Sequence, residues 1–350
     1  MPDVSIGAAA HKTASLALSP VLVRAPARAS LATEIRAGAT TAILTLPFSV
    51  TAGVLAFGPL GPDYVAAGAA TGLLCAVAGG LVGALARSSS FIATVPSVPL
   101  ALIQASFIAA LLQSSGGDVA TVLALAPLSI FLAGLLQAVS AWFGFVRIIK
   151  FTPYPVLAGF VTGLAVRTFT QQFPRLFDLP NLGAVFTALG EGALPHLEMA
   201  AFGLVLVALM RASDMLAPRV PAMLVGLVVG TVAWHGLAAL QPGLDLGRTI
   251  GQVSLDRVAF GFVADFASIR RAVSDLHLVQ TLLLTSATLA AVSMLDFTFT
   301  IRTVQNLSDA RIKPRRDLAG QGLANIATAA IGGMPVTAAL GATTTLFENG

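Results

Sequence analysis

The sequence predicts an all-α polytopic membrane protein. Of its 350 residues, 56% are hydrophobic and only 10% are charged, and the mean hydropathy is +0.87, whereas a soluble domain carries about 25% charged residues. The apolar residues form long runs without Asp, Glu, Lys or Arg, and about 20 such residues cross the hydrocarbon core as a helix. Because the runs are continuously apolar, they favour helices over the alternating strands of a membrane barrel. The composition therefore excludes an ordinary soluble protein and a disordered chain.

The predicted segments follow one another along most of the chain. Residues 1–36 are predicted to form a cytoplasmic tail, because the apolar stretch 16–23 is short and proline-interrupted, unlike a signal peptide. Two shorter apolar runs, 151–166 and 199–210, are candidates for helices that depend on packing against neighbouring segments. The stretch 245–275 carries four arginines and four aspartates, and this neutrality predicts an external loop. The charge-free runs that are predicted to hold membrane helices are 37–62, 64–86, 88–117, 119–146, 220–244, 276–295 and 318–347.

Basic residues are concentrated in four places between the predicted spans. Lys and Arg in short loops mark the cytoplasmic side of a membrane protein, and all four groups fall on that side if the N-terminus is cytoplasmic. We therefore predict a multi-pass protein of the bacterial inner (plasma) membrane, embedded in the lipid bilayer, and no nucleic-acid partner despite the net charge of +4. The groups lie in 1–36, at Arg87, at Arg147 and Lys150, and over 302–316.

Two apolar runs are interrupted in the same way. Residues 88–112 and 326–347 each contain small or β-branched residues, a proline, a hydroxyl residue and then an apolar helix. Paired interrupted segments are typical of transporters built from inverted repeats. Each break would leave a half-helix whose first amides have no partner within the helix, and such amides, with the helix dipole, attract anions. We therefore expect an anion site between the two half-helix ends.

The two halves of the predicted architecture differ in length. The first spans 37–244, and the second begins near residue 276 and reaches residue 350 with fewer predicted segments. We therefore expect the second repeat to be incomplete.

Asp296 is the strongest single candidate for a functional residue. It follows the charge-free run 276–295, and a carboxylate at membrane depth is costly and usually faces a cavity or a partner. Thr300 lies one turn later on the same helix face, so the two residues could bind Na⁺, or Asp296 could carry a proton. The alternative is that Asp296 lies near the membrane surface and pairs with Arg302.

The sequence offers no pattern for covalent chemistry. It contains no Walker loop, no metal-ligand cluster and no nucleophile triad, and its single cysteine, Cys75, excludes a disulfide framework or a cysteine-based zinc site. We therefore expect that the protein is not an enzyme and needs no cofactor beyond a coupling Na⁺ or H⁺.

Two stretches of the chain resemble signature segments of the SulP family, the sulfate-permease anion transporters. They are RIIKFTPYPVLAGFVTGLAV at 147–166 and DLAGQGLANIATAAIGGMPVTAAL at 317–340. In the second stretch Asp317 replaces the family's usual Glu. The resemblance covers about 37–350, and the positions that match the family pattern are Gly320, Gln321, Gly322, Asn325, Gly332, Gly333 and Pro335.

The resemblance implies a fold of seven-plus-seven inverted repeats, with an elevator-like motion and a homodimer. Core-domain helices would occupy 37–146 and 276–350, and gate-domain helices 147–244. The family's coupling-cation site corresponds to Asp296 and Thr300. The family's substrate anion lies between the N-termini of the third and tenth helices, which in this chain correspond to Thr94, Pro96, Ser97, Thr337, Ala338, Ala339 and Leu340.

These observations predict a secondary active transporter of small inorganic anions such as sulfate or bicarbonate, which works by cation coupling or by exchange. A truncated, non-transporting membrane fragment or partner subunit is the alternative from a different class. A nucleobase permease of the same architecture is disfavoured, because the last apolar segment offers no carboxylate before Glu348. The sequence leaves the identity of the anion and of the coupling ion open.

Overall fold

The computed structural model of the protein describes most of the chain in helices. It covers residues 30–87, 89, 91–144, 154–179, 181–192, 195–216, 222–241, 243–244, 250, 253, 269–270, 274–307 and 313–349. Most of the predicted tail, most of the predicted external loop and the first seven residues of the first signature stretch lie outside these ranges.

Eleven helices and two short strands form within the described residues. Five helical stretches, among them Val119–Phe143 and Leu276–Gln305, are long and apolar enough to cross a membrane. This confirms the predicted all-α, multi-pass membrane architecture. In chain order the elements are α1 Leu31–Phe57, α2 Val65–Ala86, β1 Thr94–Pro96, α3 Val98–Ser114, α4 Val119–Phe143, α5 Tyr154–Gln172, α6 Leu182–Gly190, α7 Leu197–Leu216, α8 Ala222–Leu240, α9 Leu276–Leu307, α10 Pro314–Ala330, β2 Val336–Ala338 and α11 Leu340–Asn349.

The first helix begins inside the predicted tail. Ser30 caps α1 by accepting a hydrogen bond from the Thr33 amide at 3.2 Å, and Glu34 lies in the first turn. A hydroxyl cap and an acidic first turn both stabilise a helix N-terminus, so the polar residues before the apolar run 37–62 extend the helix. Pro47 lies within α1 without ending it.

The central body of the molecule consists of α1–α4 and α9–α11. Within it α4 packs against α9 and α10, while α1 packs against α2, α3 and α11. Helices α4 and α10 approach closely because they meet at glycines: a Cβ on Gly134 would lie 2.6 Å from the Gly322 carbonyl oxygen. A side chain at either position would force these two helices apart.

Helices α5–α8 form the outer part of the described molecule. Helices α7 and α8 pack against each other, and only 6% of the apolar stretch of α7 is buried. The apolar side chains of α7 that remain exposed include Leu204, Val205 and Val207. Such a surface is suited to lipid or to another apolar surface rather than to water.

The two strands pair at the two interruptions that the sequence revealed. β1 and β2 are antiparallel, with Thr94 opposite Ala338, Val95 opposite Thr337 and Pro96 opposite Val336. The sequence predicted breaks here but not strands, because three residues are too few for a periodic signal and the partner strand is distant along the chain. The pairing satisfies part of the backbone that the interrupted helices leave exposed within the apolar body.

Candidate functional site

Two strand-to-helix junctions meet beside the β1–β2 pair. Helix α3 starts after Ser97, whose carbonyl accepts from the Ala101 amide at 2.8 Å, and α11 starts after Ala339, whose carbonyl accepts from the Thr343 amide at 2.9 Å. Pro99 has no N–H, so the amides without a partner within their helix are those of Val98 and Leu100 in α3 and of the three residues 340–342 in α11. Both helix N-termini, with their positive dipole ends, therefore lie at the same place in the fold.

The two junctions are bonded to each other. The Ala339 amide donates to the Ala93 carbonyl at 3.1 Å, and the Ala93 amide donates to the Thr343 hydroxyl at 3.2 Å. The relative position of the two helix starts is therefore determined by direct hydrogen bonds in addition to the strand pairing.

A cavity of about 730 Å³ opens at these junctions. Helix α1 contributes Thr45 and Thr51, and α5 contributes Thr168 and Gln172. Among the described lining residues, Asp296 of α9 is the only charged one. The predicted anion-site residues that line the cavity are Pro96, Ser97, Thr337, Ala339 and Leu340.

Three predicted site residues, Thr94, Ala338 and Thr300, lie behind the cavity wall instead. Thr94 donates its hydroxyl hydrogen bond to Gln321 Oε1 at 3.2 Å, and Thr300 donates to the Ala338 carbonyl at 2.9 Å. All three residues are buried, and none of them is among those that line the cavity. The hydrogen bonds of Thr94 and Thr300 and the pairing of Ala338 hold β1 and β2 in position.

Asp296 lies on the cavity next to the side chain of Thr337. Thr337 belongs to β2, and its Oγ1 is 3.4 Å from the Ser293 carbonyl oxygen on α9. The hydroxyl of Ser293, one turn before Asp296, is buried without a hydrogen-bond partner among the described residues. The Thr337 hydroxyl thus connects the strand that precedes α11 to α9, close to the acidic side chain.

The signature motif of α10 braces β2 through two amide side chains. Gln321 Nε2 donates to the Val336 carbonyl at 2.7 Å, and Asn325 Oδ1 accepts from the Val336 amide at 2.8 Å. Asn325 Nδ2 also donates to Gln137 Oε1 of α4 at 2.9 Å. In the sequence, Gln321 and Asn325 served only as part of the family motif. Their spacing of four residues places them on one face of a helix, and this was the signal that both could bind the same partner.

A buried charge pair lies behind β1. Arg87 is 6% exposed and donates from Nη1 to the Ile92 carbonyl at 2.7 Å, while the fully buried Asp317 accepts from the Ser89 hydroxyl at 2.6 Å. Arg87 and Asp317 also attract each other electrostatically. Removing either charge would leave the other buried and uncompensated, which is strongly destabilising.

The curated relatives of the chain include two bacterial transporters. The chain is 27% identical over 234 residues to a putative sulfate transporter, YvdB of Bacillus subtilis, a match that covers 63% of this chain and 41% of that protein. It is 26% identical over 312 residues to the bicarbonate transporter BicA of Synechocystis, covering 86% of this chain and 50% of that protein. The chain thus spans about half the length of the curated relatives it matches.

Solved membrane-protein structures share the fold. The transmembrane domain of a cyanobacterium bicarbonate transporter, BicA, superposes with a TM-score of 0.74 at 22% identity, covering 91% of this chain and 77% of that chain. SLC26A9 superposes with a TM-score of 0.68 at 16% identity, covering 98% of this chain and 55% of that chain. At sequence identities this low, the superpositions show that the fold is shared and nothing about function. The model of the sulfate permease family, however, matches residues 31–350, which is nearly the whole sequence, and the protein therefore belongs to that family.

Proposed function

We propose that the protein is a secondary active transporter of small inorganic anions of the sulfate or bicarbonate class. The observation that carries the proposal is the cavity of about 730 Å³ at the N-termini of α3 and α11. Amides that lack partners and positive dipole ends stabilise an anion without a buried Lys or Arg. A site that binds an anion through amides and helix dipoles, without a Lys or Arg, also suits transport, because a carried ion has to leave again.

The proposal assigns Asp296 the coupling role. An ionised carboxylate on the cavity repels an anion, and a bound Na⁺ or proton would remove that repulsion. Cation binding and anion binding would therefore favour each other by the same factor, as linkage requires. The family resemblance assigns Thr300, one turn further along α9, to the same cation site; in the structure this residue is buried behind the cavity wall, where its hydroxyl donates to the Ala338 carbonyl.

Alternating access would come from movement between two sets of helices. We assign 37–146 and 276–350 to a core domain that carries the anion and 147–244 to a gate domain, with a homodimer as the family resemblance implies. The contacts support this division, since α10 packs extensively on α2 and α4, while α7 is mostly exposed. The orientation that belongs to the proposal has a cytoplasmic N-terminus in a bacterial inner membrane.

The test is uptake into proteoliposomes that contain the 350-residue chain. Radiolabelled sulfate, bicarbonate and uracil are offered separately, with Na⁺ gradients and pH gradients imposed in turn, and protein-free liposomes set the background. We expect saturable uptake of an inorganic anion that follows one cation gradient. Uptake of uracil in place of the anions would favour the nucleobase alternative. No uptake by protein with a cooperative thermal unfolding transition would contradict the proposal.

A further inference from the structure

Arg87 lies where the two strand-to-helix junctions are connected to each other. It follows the last residue of α2 and is 6% exposed. Its Nη1 donates to the Ile92 carbonyl at 2.7 Å, and its Nη2 donates to Gln321 Oε1 at 3.3 Å. One planar guanidinium therefore holds both the backbone just before β1 and the side chain of α10 that braces β2.

The contact with Ile92 leads to the junction between β1 and α11. The next residue, Ala93, uses both of its backbone polar groups there. Its amide donates to Thr343 Oγ1 at 3.2 Å, and its carbonyl accepts from the Ala339 amide at 3.1 Å. Because the Ile92 carbonyl belongs to the same peptide unit as the Ala93 amide, the guanidinium fixes the peptide from which α11 is held.

The contact with Gln321 leads to both strands. Gln321 Oε1 also accepts from Thr94 Oγ1 of β1 at 3.2 Å, and Gln321 Nε2 donates to the Val336 carbonyl of β2 at 2.7 Å. Strands of three residues do not hold a fixed position by their own pairing. The place of this amide group, which Arg87 helps to determine, therefore sets where β1 and β2 deliver the starts of α3 and α11.

The helices around Arg87 leave space for its side chain at two glycines. A Cβ on Gly83 of α2 would collide with Arg87 Nη2 and would lie 2.9 Å from Thr94 Oγ1. A Cβ on Gly320 of α10 would lie 2.9 Å from Arg87 Cγ. A side chain at either position would displace the arginine or push its helix away. Both helices are therefore shaped to accept the guanidinium in this place.

The charge of Arg87 alone does not account for this arrangement. The charge is balanced by the fully buried Asp317, to which Arg87 is attracted. Desolvation offsets much of the attraction in a buried ion pair, so such a pair adds little stability compared with apolar residues of similar volume. What an arginine offers beyond a point charge is a rigid fork of N–H donors, which fixes the direction of several hydrogen bonds at once.

We propose that Arg87 is a positioning residue of the anion site, whose guanidinium sets the relative position of the α3 and α11 N-termini through Ile92 and Gln321. The inference rests on the proposed function, because it takes the anion to bind at these two helix ends. Their amides can share one anion only while both ends point at it, and hydrogen bonds weaken steeply with misalignment. Arg87 acts through these partners, since it is not among the residues that line the cavity.

The test compares three variants of the full chain with the wild type. Arg87→Lys keeps the positive charge beside Asp317 but lacks the fork of donors. The double variant Arg87→Met/Asp317→Asn removes both charges, so that neither is left uncompensated. Arg36→Lys, at an exposed position of α1, is the matched control. Titration calorimetry gives the Kd for sulfate and for bicarbonate, uptake into proteoliposomes gives KM and Vmax, and thermal unfolding without anion reports folding.

We expect Arg87→Lys to raise Kd and KM for the preferred anion by about tenfold, which corresponds to the loss of about one hydrogen bond to a charged group. A merely structural role would lower the amount of folded protein and therefore Vmax, while the KM of the molecules that remain folded would not change. Arg36→Lys should stay within about twofold of the wild type. If Arg87→Lys fails to fold, the double variant carries the test, with the same rise in Kd expected.

The outcomes separate the two proposals. A wild type that binds an anion while the folded Arg87 variants bind it equally well overturns the role of Arg87 and leaves the proposed function standing. A loss confined to Vmax, or a failure of both Arg87 variants to fold, also overturns it, because Arg87 would then serve the fold as a whole. An equal rise of KM in Arg36→Lys overturns its specificity. A folded wild type that binds neither anion overturns both proposals.

Discussion

At the scale of single residues, Asp296 joins the two questions that the site raises: how an anion is held and what drives it. Its carboxylate lies on the cavity next to Thr337, the middle residue of β2. Burial of a charge within an apolar body is tolerated only where a partner or a cavity compensates for it. Here the open cavity provides that compensation, and a bound cation would complete it.

We expect Asp296→Asn to abolish the cation dependence of uptake while the protein stays folded and inserted. Asparagine has nearly the same shape, but it carries no charge for a cation to neutralise. The measurement is anion uptake in proteoliposomes with and without the coupling gradient. Glu34→Gln is the control, because Glu34 is exposed in the first turn of α1. Unchanged uptake with unchanged cation dependence in Asp296→Asn would remove Asp296 from the coupling role.

At the scale of elements, β2 is held from two sides. β1 pairs with it along one edge, and Gln321 and Asn325 of α10 bind both backbone polar groups of Val336. Two strands of three residues would not be stable alone. The amide side chains of α10 therefore decide where Thr337 and the start of α11 lie, although they do not line the cavity themselves.

We expect Asn325→Leu to destabilise the protein. The Val336 amide and Gln137 Oε1 would each lose their partner, and a buried polar group left unpaired costs about 1–3 kcal/mol. The measurement is thermal or denaturant unfolding in detergent. Leu323→Ala on the same helix is the control: Leu323 is 46% exposed, so its loss should change stability by about 0.5 kcal/mol or less. Equal stability of Asn325→Leu and the control would show that β2 does not depend on this contact.

At the scale of the whole molecule, the described helices have two distinct ends. At one end Leu278 and Leu282 of α9 pack with Phe107 and Leu111 of α3. At the other end Arg315 of α10 donates to the Ala141 carbonyl of α4 at 3.2 Å and also to the Trp142 carbonyl. Basic residues gather at the second end, and under the positive-inside rule this is the ground for the proposed orientation, with that end facing the cytoplasm.

We expect cysteines placed at the two ends to react from opposite sides of the membrane. Gln113→Cys, at the exposed end of α3, should be labelled by a membrane-impermeant maleimide in intact spheroplasts. Lys313→Cys, which precedes α10, should be labelled only after permeabilisation. The wild type is the control, because its Cys75 is fully buried. The reverse labelling pattern would place the N-terminus outside.

Much of the architecture was predictable because hydropathy and charge act locally. The charge-free run 119–146 became α4, and the two interrupted runs became the strand-to-helix junctions, since a segment in lipid must be apolar and must satisfy its own backbone. Asp296 was identifiable because a carboxylate at that depth is costly. The start of α1 at Leu31 was not, because a hydroxyl cap acts on the next turn and leaves no mark on hydropathy.

The sequence by itself determined the spans, the two breaks and the acidic residue, because each depends on the residues next to it. Only the tertiary structure decided that the breaks pair as strands, that Thr94 and Thr300 hold those strands rather than line the cavity, and that Gln172 lies on it. These outcomes depend on hydrogen bonds and packing between segments far apart along the chain. A helix face that packs against a distant segment is selected by that segment, so the local sequence pattern does not predict it.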